Sequence, residues 1–241
     1  MTIEFINVTK KVRQGHVRLT YENLNIRVEP HAKMALLGHK EAGLESITSL
    51  ICSADAPDKG RVLRTHSISW PIPSSQFLKK HLPLATSARF LARLYEVDPS
   101  GYIGRIAEMA QIGDHMNSRG DKCPKEAVSR FLFSAGLCLS FEQYIFTNLN
   151  AGGKDDRARF ADLVKETAAR AGLLFIGSDL KVAQQFCDEA YVFDGKSATY
   201  FDDMDAAAEF LGSIAKKGDD DEGEDFFDTD PELESLVNMD F

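Results

Sequence analysis

No apolar run in the chain is long enough to cross a bilayer. The longest, such as Gly172 to Gly177, fall far short of the roughly 20 residues that a helical span requires. Cysteine is scarce. Cys52, Cys123, Cys138 and Cys187 stand far apart with no C-x-x-C pair, which removes the usual redox and zinc patterns and leaves reduced, mostly buried thiols as the expectation. The opening residues Met1 to Ile6 have neither a basic start nor a long apolar core, so no signal peptide is expected and the chain should stay in the cytosol. There is no basic stripe of the kind that nucleic-acid binders present, so nucleic acid is not an expected partner. Positive charge is missing altogether from Asp219 to Asp240, where eleven acidic residues stand. Of the net charge of −9, everything outside that segment therefore carries about +2. The body is near neutral and the tail holds the acidity.

What is present suffices for a full core. The chain has 241 residues, 44% of them apolar and 27% charged, enough for one large domain or one domain with an inserted lobe. Ile3 to Val8 alternates apolar and polar residues and predicts a half-buried strand. Lys10 to His16 reads as a polar turn, and Val17 to Val28 as a further pair of strands with Leu24, Ile26 and Val28 facing one way. Pro30-His31 turns the chain into a strand over Lys33 to Leu37. Ala54 to Gly60 is a turn, Arg61 to Ser69 alternates again, and Trp70-Pro71-Ile72-Pro73 breaks the regular structure. This start is β-rich and antiparallel in character.

Helical spacing follows. Leu84, Ala88, Leu91 and Leu94 share a face, and helices are expected over Gly101 to Ala110 and Lys125 to Ser140, together an inserted lobe. Tyr144 to Phe146 and Leu173 to Ile176 read as buried parallel strands, separated by a helix over Asp155 to Ala171. A helix over Leu180 to Cys187, a strand over Ala190 to Phe193, a hairpin turn at Asp194-Gly195 and a helix over Asp205 to Ile214 complete the body. Strands alternating with helices predict a parallel sheet covered on both faces.

The most informative stretch is Ala35 to Ser46. An apolar strand runs into a loop bounded by Gly38 and Gly43, and a helix follows with Leu44, Ile47, Leu50 and Ile51 on one face. That is the layout of a phosphate-binding P-loop, G-x-x-x-x-G-K-[ST]. In such a loop the amides and the helix N-terminus attract phosphate, the lysine bridges phosphates and the hydroxyl holds Mg²⁺. Here the spacing is kept and the chemistry is not: Leu44 takes the lysine's position and Glu45 the hydroxyl's. A carboxylate at Glu45 suits the positive end of the helix dipole, worth about 0.3–1 kcal/mol in an exposed setting. With Glu41 also in the loop, two carboxylates would face a triphosphate; Lys40 offsets part of that repulsion, and Ser46 remains. Two readings follow: a phosphate site lost or much weakened, or a rearranged site that uses Lys40 with Glu45 on a metal.

Three further stretches narrow the reading. Ser69-Trp70-Pro71-Ile72 is followed by Arg89-Phe90-Leu91-Ala92-Arg93-Leu94-Tyr95 and Val97-Asp98-Pro99. Phe186-Cys187-Asp188 precedes Val192 to Gly195 and Tyr200-Phe201-Asp202-Asp203. Arg130 to Asn148 has the length and apolar pattern of a helix leading into a buried strand. With these residues the chain resembles a nucleotide-binding subunit of an ABC transporter, in the branch that exports capsular and related polysaccharides, over roughly residues 3 to 212. The resemblance implies an α/β P-loop NTPase fold: a RecA-like core with an antiparallel β subdomain and a helical lobe at about 76–138, in a domain of residues 1–212. It also implies that two such subunits sandwich ATP and push on a membrane partner. The implied partners are an ABC permease, a paralogous ATPase subunit or both, and the implied place is the inner face of the cytoplasmic membrane.

The family's catalytic positions then fall on unfamiliar residues. The Walker B carboxylates correspond to Thr147 and Asn148, and neither can act as a carboxylate; Asn148 can orient a water but takes no proton. The signature motif falls on Cys123-Pro124-Lys125-Glu126-Ala127, without its serine and glycine and with Glu126 of the wrong sign for phosphate. The switch histidine falls on Ser178. Gln76, in Pro73-Ser74-Ser75-Gln76-Phe77, is the one candidate for a Q-loop glutamine, and Tyr21 is the tyrosine nearest to an adenine-stacking position but offset from it. The expectation is a catalytically degenerate subunit, a pseudo-ATPase with no catalytic residues, no metal and no cofactor, serving as a structural or regulatory partner. The alternatives are an active, unorthodox ATPase that holds ATP and Mg²⁺ with Lys40, Glu45 and Asn148, or an adaptor independent of any transporter.

Residues 213–241 form an acidic segment expected to be disordered on its own. Within it Phe226, Phe227, Leu233, Leu236 and Phe241 stand among carboxylates, and Pro231-Glu232 suits a helix start. It is either a solubilising tail or a linear motif that folds on a protein partner.

Overall fold

The computed structural model describes residues 2–14, 17–39, 42–149 and 156–219. The acidic tail, with its Phe226, Phe227, Leu233, Leu236 and Phe241, lies outside the described residues, as do Lys40 and Glu41.

The chain begins as a long hairpin. β1 (Ile3–Gln14) pairs antiparallel with β2 (Val17–Val28) and, on its other side, with β4 (Lys59–Arg64), giving a three-stranded sheet in the order β2-β1-β4. The polar turn expected at Lys10 to His16 is therefore corrected: β1 continues to Gln14. Lys10 hides the strand because it sits on the buried side, where its Nζ donates to Asp55 Oδ2 at 2.6 Å and to the Ala56 carbonyl at 2.9 Å. A lysine on an inward position is tolerated when its ammonium is paired and its stem packs. The expected pair of strands over Val17 to Val28 is one strand. Its apparent break is a bulge: Asn23 adopts φ 57, and the register moves from Val8↔Leu24 to Lys10↔Tyr21.

The second sheet has six strands in the order β5-β6-β7-β3-β8-β9. These are β3 (Lys33–Gly38), β5 (Ile68–Ile72), β6 (Gln143–Phe146), β7 (Gly172–Gly177), β8 (Glu189–Phe193) and β9 (Ala198–Phe201). All are parallel except β9, which returns antiparallel to β8 after the Asp194-Gly195 turn. The alternating run Arg61 to Ser69 is thus divided between two sheets. Trp70-Pro71-Ile72, expected to break regular structure, is a strand. Proline survives there because β5 is an edge strand and one of its flanks needs no donor.

Helices cover both faces. α1 (Leu44–Ile51) and the antiparallel sheet lie on one side, where Met34, Leu36, Ile145, Leu174 and Ile176 join the core of Phe5, Tyr21 and Ile26. The other side holds Ala35, Leu37, Tyr144, Phe146, Leu173 and Phe175. There they meet α2 (Leu84–Leu94), α3 (Pro99–Ala110), α4 (Lys125–Leu137), α5 (Arg157–Ala168), α6 (Leu180–Phe186) and α7 (Met204–Asp219). Successive residues of β3 face opposite cores, which is why it is continuously apolar from Met34 to Leu37. The last helix runs five residues beyond the expected Ile214.

α2 departs from its expected face. Leu84, Ala85, Ala88, Leu91 and Ala92 are buried, whereas Leu94 is 61% exposed and Phe90 55%. At 3.6 residues per turn Leu94 stands about 120° round the helix from the centre of the buried stripe. Small residues at 85, 88 and 92 set that stripe, and Phe90 and Leu94 project from it beside Arg89 and Arg93.

Candidate functional site

β3 delivers Gly38 to the carboxyl edge of the large sheet between β7 and β8, the edge at which open α/β sheets bind ligands. The turn there is tight. A Cβ on Gly38 would come within 2.7 Å of the Ala42 Cβ and 3.3 Å of the Phe193 carbonyl. Gly43 caps α1 in the left-handed conformation, φ 63, and a Cβ on it would lie 2.6 Å from Val12 Cγ1. Both glycines are required by the shape of the loop, whatever it binds.

The antiparallel sheet reaches across to hold that loop. The Tyr21 hydroxyl, fully buried, donates to the Ala42 carbonyl at 2.7 Å, and its ring packs edge-on to Phe193 with centroids 5.6 Å apart. Burial pushes the Tyr21 hydroxyl well above its ordinary range, so it remains a donor. On the opposite flank His39 Nε2 lies 3.3 Å from the Leu211 carbonyl of α7; because a carbonyl only accepts, this nitrogen carries the proton. Leu44 is half-buried and packs against the core beneath the antiparallel sheet. Glu45 is exposed on the first turn of α1, and Ser46 donates its N–H to the Gly43 carbonyl at 3.0 Å.

The neighbouring strands bring three more candidates to the same edge. β6, β7 and β3 are consecutive in the sheet, so Thr147, Asn148 and Ser178 emerge beside Gly38. Thr147 is exposed, and its N–H donates to the Ile72 carbonyl at 3.0 Å, extending the β5–β6 ladder by one rung. Asn148 is half-buried. Ser178 is exposed one residue before Asp179, whose carboxylate accepts from the Val182 N–H at 3.1 Å and caps α6. Gly38 and Gly43 thus bound the loop, and the ends of β6 and β7 lie alongside.

No protein-family profile matches the chain. It is 26% identical over 218 residues to the capsule polysaccharide export ATP-binding protein CtrD of Neisseria meningitidis serogroup B, spanning 89% of this chain and 99% of that protein. It is 27% identical over 216 residues to the ATP-binding protein BexA of Haemophilus influenzae, spanning 87% and 98%. A polysialic acid transport ATP-binding protein, KpsT of Escherichia coli, is 28% identical over 198 residues, spanning 79% and 87%. An ATP-binding subunit of an ABC transporter superposes with a TM-score of 0.72 over 90% of this chain and 99% of its own, at 16% identity. A nucleotide-free ATP-binding cassette from an ABC transporter does so with 0.68 over 93% and 100%, at 14%. This chain is a homologue of the capsule polysaccharide export ATP-binding proteins and has the ABC ATPase fold.

Two of the remaining candidates, Gln76 and the segment Cys123 to Ala127, stand apart from the loop. Gln76 is exposed in the turn after β5, one strand beyond Thr147. Cys123 to Ala127 opens α4 with Pro124 at the N-cap, no side chain capping the first turn, and Glu126 exposed on it. Tyr21 is placed under the loop. Its role as a clamp, and that of His39, had no signal in the sequence, since each depends on a partner brought in by the fold. Tyr21→Phe should lower stability by about 1–2 kcal/mol in thermal denaturation without nucleotide, because the buried Ala42 carbonyl loses its donor. An unchanged melting temperature would count against the clamp.

Proposed function

We infer that this homologue is a pseudo-ATPase: a cassette that keeps the ABC fold and serves as a structural or regulatory partner in polysaccharide export, on a permease or a paralogous ATPase subunit. The observation that carries this is at the loop. Where a P-loop places its lysine, Leu44 packs half-buried into the core, and the next residue, Glu45, presents a carboxylate at the helix start. Two unit charges of like sign 4 Å apart repel by about 1 kcal/mol in water and about 4 kcal/mol at the lower effective dielectric of a protein surface. Glu45 thus works against a phosphate that Leu44 does nothing to attract. At the end of β6, Thr147 and Asn148 supply neither a carboxylate for Mg²⁺ nor a base for water. The described residues at these positions do not fit a magnesium nucleotide, and no phosphoryl-transfer step is assigned to them. No cofactor is part of the proposal.

The partner role is supported by α2, where Phe90 and Leu94 stand exposed beside Arg89 and Arg93. An apolar pair with a basic border suits a protein surface more than it suits water. No helix of the described residues is long and apolar enough to cross a membrane. Attachment to the inner face of the cytoplasmic membrane would therefore go through the permease. Within a dimer, a signature position without serine and glycine would also weaken the paralogue's site, so a regulatory role is as well supported as a purely structural one.

The test is a titration of the purified chain with a fluorescent ATP analogue and Mg²⁺, alongside a phosphate-release assay. Neither micromolar binding nor turnover is expected. Both together would establish the unorthodox ATPase through Lys40, Glu45 and Asn148 instead.

A further inference from the structure

At the opposite edge of the large sheet from the Gly38 loop, a cavity of about 720 Å³ opens between α3, α5 and the segment joining α4 to β6. Its position follows from the register: Gln143 pairs with Gly172 and Tyr144 with Leu173, at the starting ends of β6 and β7. The volume is that of a small-molecule site, for which about 300–1,000 Å³ is usual. The floor is apolar, built from Leu137, Leu139, Phe141, Tyr144 and Leu163.

The charge around this floor is unbalanced. Arg105, Arg159 and Arg170 line the cavity, against a single acid, Glu108. Arg159 is already committed. It donates to the Met109 carbonyl, lies 3.4 Å from Asp156 Oδ1 and places its guanidinium 4.6 Å from the centre of the Phe160 ring. Among the described residues the Arg105 side chain donates only to the Cys138 carbonyl, at a long 3.5 Å. The Arg170 side chain makes no hydrogen bond or ion pair with a described residue, and among those residues none of the three arginines is paired with Glu108. Among the described residues, two exposed guanidinium groups without an ion-pair partner therefore border an apolar floor.

We propose that this cavity binds a singly charged amphiphilic acid, its head group held by Arg105 and Arg170 and its apolar body laid on Leu139, Phe141 and Leu163. Planar guanidinium groups match the paired oxygens of a carboxylate, sulfonate or phosphate ester. Glu108 at the same rim disfavours a multiply charged head, which argues against a nucleoside triphosphate. The source is either a free organic acid or the head group of an anionic lipid; both present the same chemistry to these residues.

The probe is anilinonaphthalene sulfonate, titrated into the full chain and followed by its own emission and by that of Trp70. Trp70 is the chain's only tryptophan, and its ring lies 5.8 Å from that of Phe141 in the floor. Saturable binding at one site per chain is expected, with a change in Trp70 emission. Arg105→Ala and Arg170→Ala should each weaken it by about tenfold, the scale of one charge-assisted hydrogen bond. Both arginines are exposed, so unchanged melting temperatures should accompany the loss. Glu108→Gln should strengthen binding by about two- to fivefold, the scale of a surface charge pair. Displacement by decanoate assigns the site to free acids, and displacement only by phosphatidylglycerol vesicles assigns it to a lipid head group; either upholds it. Equal binding of the uncharged phenylnaphthylamine, or no effect of the arginine substitutions, overturns it. Binding that emerges only after removal of residues 220–241 also overturns it, in favour of the chain's own acidic tail as the occupant.

Discussion

Leu44→Lys combined with Glu45→Ser should raise the affinity for Mg-ATP by about a hundredfold or more over the unaltered chain. A lysine at 44 would add charge-assisted contacts worth about 1.5–3 kcal/mol, and removal of the Glu45 carboxylate would relieve about 1 kcal/mol or more of repulsion. Each 1.4 kcal/mol is about tenfold in affinity. The frame needed to express this gain is in place: Gly38 turns the strand, Gly43 caps the helix, and α1 starts directly after it. Leu44 is half-buried, so its replacement gives up some packing, on the order of 1–2 kcal/mol. The aliphatic stem of lysine can cover the same surface while its ammonium reaches out. The same fluorescent titration reads the result. Affinity without turnover is expected, because Thr147 and Asn148 are unchanged. No gain at all would mean that the loop has lost its phosphate-binding shape together with its lysine.

Gly43→Ala should destabilise the chain by about 2–4 kcal/mol. A residue with a Cβ at φ 63 gives up about 1–2 kcal/mol of backbone free energy. The new methyl would also lie 2.6 Å from Val12 Cγ1, and Val12 is only 1% exposed, so it has little room to withdraw. Overpacking of this kind typically adds about 1–3 kcal/mol. For a domain of this size the melting temperature should fall by about 5–15 °C. Val12→Ala in the same chain should recover the steric part and leave the conformational part. If the two substitutions destabilise additively, the contact between the β1 strand and the loop is not the source of the strain.

The loop was legible because glycine has few reasons to recur at that spacing. Its two positions need a close approach and a positive φ, and those needs are local. The parallel strands were legible for a similar reason: Met34 to Leu37, Tyr144 to Phe146 and Leu173 to Ile176 are apolar on both faces and short. What escaped depended on partners distant in the chain. Lys10 disguises β1 as a turn, since its inward position is made tolerable by Asp55 and the Ala56 carbonyl, 45 and 46 residues away. Pro71 disguises β5, since only the strand order tells that its flank is free. Leu94 fits the helical period yet faces outward, because which side of α2 is covered is decided by the helices that pack on it. The Tyr21 hydroxyl finds Ala42 through the bulge at Asn23, a register no local pattern encodes. At the candidate site, the two glycines of the turn were readable and the contacts that hold the loop were not.

The central strand β3 has a further consequence, for synthesis. Its neighbours in the sheet are β7 and β8: Lys33 pairs with Leu173, and Gly38 with Phe193. Both flanks of the glycine loop's own strand are thus supplied by segments made roughly 140–160 residues later. At ribosomal rates of about 5–20 residues per second, β3 waits on the order of ten to thirty seconds with both edges unpaired. The β1–β2–β4 sheet, closed within the first 64 residues, is available throughout that interval. The nascent chain therefore has one half-domain able to assemble early and one strand, apolar from Met34 to Leu37, that must be sheltered until β8 has been made.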